Sequence, residues 1–101
     1  MNGKPDIIAK IHFYKTEENG RKGPITVNIF RCPAEINGDK FDCAVIIGEN
    51  KSITPGDTVT IPVAFLSSKI VRPMLKVGSR FTLWSLGTIA DCVVEEIIPG
   101  D

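Results

Sequence analysis

The sequence predicts a small all-β fold, an antiparallel barrel or sandwich of six or seven short strands. Three observations predict it. Apolar residues alternate at period two along most of the chain, Gly- and Pro-rich turns interrupt that alternation at short spacing, and no stretch carries a convincing helical period. At 101 residues the chain is one domain, residues 1–101, with enough length for a single real core.

Taken in order, the first segment places Ile7, Ala9, Ile11 and Phe13 on one face and Ile8, Lys10, His12 and Tyr14 on the other. That is a strand with one dry and one mixed face. After a charged turn at residues 16–24, the β-branched run 25–31 reads as a second strand with Ile25, Val27 and Ile29 in register. Asn37-Gly38-Asp39 is a turn, because glycine accepts positive φ freely. Residues 41–47 form the third strand, with Phe41, Cys43, Val45 and Ile47 on one face.

Thr54-Pro55-Gly56-Asp57 closes the next connection. The fourth strand, 57–65, turns Val59, Ile61, Val63 and Phe65 inward, and Pro62 on the opposite face predicts an edge or bulge because it has no N–H to donate. Residues 69–77 are interrupted by Pro73 and ended by Gly78, so they are expected as an extended connection or one short turn. Strands at 80–85 and 89–98, separated by Leu86-Gly87-Thr88, complete the set.

Composition narrows the function classes. Lys+Arg and Asp+Glu are both 12, so the formal net charge is zero. Proteins that bind by neutralising many phosphates generally carry a cationic excess, which argues against strong nucleic-acid binding. No apolar run approaches the ~20 residues of a membrane span, and residues 1–6 lack the pattern of a signal peptide. Cys32, Cys43 and Cys92 are odd in number and widely spaced, which fits reduced thiols in or near a core and a cytoplasmic protein.

Little points to catalysis. The single histidine, His12, needs a nucleophile and an orienting carboxylate before it becomes a base, and the scattered cysteines lack zinc-ligand spacing. There is no G-x-x-x-x-G-K-[ST] loop to cradle a nucleotide. Glu17/Glu18 and Glu95/Glu96 are adjacent, so on a strand each pair points to opposite faces and reads as solvated charge. No catalytic residue, metal or cofactor is expected.

Three turns carry a resemblance. Glu17-Glu18-Asn19-Gly20-Arg21-Lys22-Gly23-Pro24, then Thr54-Pro55-Gly56-Asp57, then Gly78-Ser79-Arg80-Phe81 follow one another at a spacing similar to that in the C-terminal, third domain of elongation factor Tu and related translational GTPases. The likeness runs from about residue 8 to 94. It implies a six-stranded antiparallel Greek-key barrel, here as a stand-alone domain without the GTPase domain. Two departures bear on function. Residues 28–33 replace a Gly-Tyr-Arg-Pro-Gln segment, and residues 84–90 lack both arginines of the family's last hairpin. Those segments help hold aminoacyl-tRNA in the full-length factors, so the resemblance implies the architecture more than the tRNA contact.

The expectation is a non-catalytic, protein-binding barrel whose partner is a translation factor or a toxin that it neutralises. A tRNA- or RNA-binding module is the alternative, and neither a membrane nor a nucleotide is expected as partner. The contact candidates are Glu18, Arg21, Arg31, Lys69, Arg72, Lys76 and Trp84. Glu18 and Arg21 lie in the first turn, and Lys69, Arg72 and Lys76 in the connection 65–76, apolar for a loop, which reads equally as a basic-apolar contact strip or as a segment packed across a barrel end. Trp84 is read first as core and otherwise as an interface anchor.

Overall fold

The computed structural model describes residues 4–18 and 23–100. Among them run β1 (Ile7–Phe13), a 3-10 turn (Thr16–Glu18), β2 (Ile29–Ile36), β3 (Asp39–Ile46) and β4 (Thr58–Phe65). A four-residue helix, α1 (Ser68–Val71), and a 3-10 turn (Arg72–Met74) follow, then β5 (Arg80–Trp84) and β6 (Thr88–Ile97). The six strands close into an antiparallel barrel in the order β1-β4-β3-β2-β5-β6, with β6 returning to β1. The spatial run β1-β4-β3-β2 is a Greek key. Closure leaves no full-length edge strand.

The core is built as the period-two pattern requires. Ile7, Ala9, Ile11 and Phe13 of β1 meet Cys32, Ala34 and Ile36 of β2, Cys43 and Val45 of β3, and Val63 and Phe65 of β4. Phe81, Leu83, Ala90, Cys92 and Val94 supply the last two strands. Ile25 and Ile53 form a two-way backbone bridge of 2.8 and 2.9 Å that covers one barrel end, and Val71 and Leu75 plug the other.

The second strand departs from expectation. Only Ile25 of the Ile25, Val27, Ile29 series is buried, and Val27 and Ile29 are exposed. The chain crosses the barrel end at residues 26–28, where the Asn28 carbonyl accepts N–H bonds from both Ile47 and Gly48, and β2 starts only at Ile29. Glu95 and Glu96 also share exposure rather than opposing faces. A register shift opposite Ile8/Ala9 leaves Glu95 as the extra residue of a bulge.

Two prolines end two ladders. Leu66 N–H bonds Asp42 carbonyl at 3.0 Å, so alternation along β3 and β4 turns the Pro62 nitrogen toward Ile46, where the next bond would form. The β3–β4 register stops one residue short, at Val45–Val63. Pro33 acts similarly on β2, whose register with β5 covers only Ala34–Leu83 and Glu35–Thr82. Pro62 is thus edge-like within a closed barrel.

Candidate interaction surface

The connection after β4 is set by the chain's own preferences. Ser67 starts α1, and Pro73 falls at the opening of the following 3-10 turn, where its missing N–H costs nothing. Of the two alternatives expected for residues 69–77, the chain takes the short-turn one, a single α turn followed by a 3-10 turn. Val71 and Leu75 face the barrel interior. Leu66, Ile70 and Val77 are 57, 62 and 63% exposed.

This segment is rigidly tied down. The Asp6 side chain, 8% exposed, accepts the Phe65 N–H at 2.7 Å and the Ser68 hydroxyl, and pairs with Arg72 Nη1 at 3.1 Å. Arg72 Nη1 also donates to the Asp6 carbonyl at 3.1 Å, and Nη2 donates to the Ile98 carbonyl. One guanidinium fork thus clamps the start of β1, the end of β6 and the helical connection together. Arg72 is spent on this internal pair, whereas Lys69 and Lys76 are exposed.

Leu66 is a ridge between two grooves. One, of about 550 Å³, is lined by Arg31, Cys32, Pro33, Asp42 and Leu66. The other, of about 690 Å³, is lined by Leu66 together with Lys4, Lys69, Arg72, Pro73 and Pro99. The barrel thus brings Arg31, Lys69 and Arg72 to one side, around an apolar side chain that sequence reasoning did not single out. A signal for its basic surroundings was present: residues 66–90 contain Lys69, Arg72, Lys76 and Arg80 and no acidic residue. A neutral chain therefore segregates its charge.

The other candidates lie elsewhere. Glu18 ends the 3-10 turn after β1, at the barrel end remote from Lys69. Arg21 and the Glu18 side chain lie outside the described residues. Trp84 is not a core residue. It is half-buried on the outer wall, with Lys40 Nζ 4.6 Å from its ring centroid, a cation–π contact.

A second apolar feature crosses the outer wall. Ile29 is opposite Ile46, and Pro62 is opposite Ile8, so adjoining rows of β2, β3, β4 and β1 present partly exposed apolar side chains outward. The unbroken apolar run 43–47 carried that signal in the sequence.

His12 and the thiols are on opposite sides of the barrel wall. His12 Nδ1 lies 2.9 Å from Thr58 Oγ1 on the outer face, beside Tyr14, whose hydroxyl donates to Asp91 at 2.7 Å. Cys32 and Cys43 are direct cross-strand partners facing inward, and Cys92 is buried with them. A hydrogen bond with Cys32, then burial, holds the Cys43 thiol far above the ordinary cysteine range. Burial raises Cys92 as well. Among the described residues, no His/Cys/Asp/Glu cluster suits a metal ion, and no helix is long and apolar enough to cross a membrane.

No protein-family model matches this chain, and no curated protein matches it in sequence.

Proposed function

We propose that this barrel is a non-catalytic protein-binding module of the cytoplasm, resembling the third domain of elongation factor Tu, with a translation factor or a toxin as its partner. The observation that carries the reading is the Leu66 ridge. A side chain 57% exposed stands between two grooves on a segment immobilised by the Arg72–Asp6 pair. Preorganised apolar surface of this kind lowers the ordering cost of association, and exposed apolar patches mark contact sites. The six-stranded Greek-key architecture agrees with the resemblance.

The test is affinity capture from lysate with wild-type protein and with Leu66→Asp, with and without nuclease. The expected result is a discrete protein recovered by wild type in both conditions and lost by L66D. Recovery of RNA or ribosomal material that disappears with nuclease overturns this reading in favour of RNA binding. Capture that L66D leaves intact removes the ridge from the mechanism.

A further inference from the structure

Of the two grooves flanking Leu66, the larger carries a cationic excess, whereas in the smaller Arg31 is matched by Asp42. Arg31 borders one, Lys4 and Lys69 border the other, and all three are exposed. The one acid at the floor, Asp6, has its oxygens occupied by Phe65 N–H, the Ser68 hydroxyl and Arg72. It therefore presents little negative charge to an incoming group. Asp42 is the single carboxylate lining the Arg31 groove, and the chain from residue 66 to 90 adds none. Apolar side chains share the lining with these charges: Leu66, Pro73 and Pro99 in the larger groove, Pro33 and Leu66 in the smaller.

We infer that the Leu66 ridge receives an extended, acidic segment of a partner protein, with an apolar side chain seated in a groove and carboxylates facing Lys69 and Arg31. This rests on the protein-binding reading above and names its partner's chemistry. Charge complementarity selects the acid, since rim cations steer and orient an anionic partner. Concavity selects a polypeptide segment over an anionic bilayer. A membrane surface is met by a convex apolar face or a long amphipathic helix, and α1 has only four residues. Two grooves on either side of a ridge suit a chain that passes over it.

The test measures fluorescence anisotropy of labelled twelve-residue peptides against the full chain. The probes are an alternating Glu/Leu peptide, the same peptide with Lys for Glu, and an all-Glu peptide. Vesicles of 30% phosphatidylserine in phosphatidylcholine are assayed by co-sedimentation. The Glu/Leu peptide is expected to bind best. Its affinity falls at least fivefold for Lys69→Glu and for Arg31→Glu, and falls again between about 50 and 300 mM salt as the Debye length shortens. Leu66→Ser weakens the Glu/Leu peptide and leaves the all-Glu peptide unchanged. Circular dichroism and urea midpoints confirm that these exposed variants stay folded. Equal binding of the Lys peptide, an unchanged K69E affinity, or binding to vesicles alone overturns the inference. A protein captured from lysate equally by wild type, K69E and R31E overturns it too, while leaving the protein-binding reading standing. Failure to capture any protein overturns that reading instead.

Discussion

At the scale of single residues, the Asp6–Arg72 pair should dominate stability far more than any surface charge. Asp6 is almost wholly buried, and Arg72 is three-quarters so. Removing the cation strands a desolvated carboxylate, a loss of about 3 kcal/mol for broken buried pairs. Arg72→Met is therefore expected to lower the urea midpoint by that equivalent. Arg72→Lys should cost less, because it keeps the charge while losing the fork that also reaches Ile98. An R72M midpoint equal to wild type would show that the pair contributes nothing. The thiols make a second residue-scale prediction. Cys43 and Cys92 stay protonated in the folded state well above the unfolded cysteine value of about 8.5. As pH rises past that value, the unfolded chain ionises and the folded one does not, so stability falls with rising pH. Two such thiols lose roughly 3 kcal/mol per pH unit once well above 8.5. Urea titrations at pH 7.5 and 9.5 read this, and Cys92→Ala should reduce the slope.

At the scale of elements, the β2–β3 hairpin is where local chemistry speaks most clearly. Asn37 and Gly38 both hold positive φ, 51° and 88°, which is the two-residue turn whose twist suits adjoining strands. A Cβ added at Gly38 meets nothing within 4 Å, so its cost is backbone strain alone. Gly38→Ala is expected to cost about 1–2 kcal/mol, measured by thermal and urea unfolding; a neutral result would mean the turn relaxes to another type. This turn, the Thr54–Asp57 turn, the alternation of β1 and β4 and the existence of a strand at β6 were all legible in the sequence. They depend on neighbours one to four residues away. The start of β2 was not, because Val27 and Ile29 alternate like a buried strand and only the bond pattern at Asn28 shows the chain crossing the barrel end. Nor was the role of Arg72 legible, since Asp6 is 66 residues away in sequence. Lys69 and Lys76 were legible as exposed cations, whereas Leu66 became a candidate only when two grooves were seen to meet at it.

At the scale of the whole molecule, the barrel is unevenly zipped. β2 and β3 share eight register positions, β1 and β6 seven, and β1 and β4 six. By contrast β3–β4 has three and β2–β5 only two, each ladder ended by a proline. The β2–β3 hairpin is therefore joined to the remaining strands through two short seams, although it is strongly paired within itself. Local opening free energies follow the number of bonds and contacts broken together. The hairpin should leave as a unit before the β1–β4 and β1–β6 ladders open. Native-state hydrogen exchange in low denaturant tests this. The amides that β2 and β3 contribute to the seams should exchange through a common sub-global opening, at lower free energy than those of Ile11 and Ala9 in β1. Pro62→Ala restores a donor facing Ile46 and should raise the opening free energy of the β3–β4 seam, by about 0.5–1.5 kcal/mol for one added net hydrogen bond. Uniform exchange at the global unfolding free energy in wild type would show instead that side-chain packing across the core, led by Cys43, Val45 and Phe65, welds the seams regardless of their length.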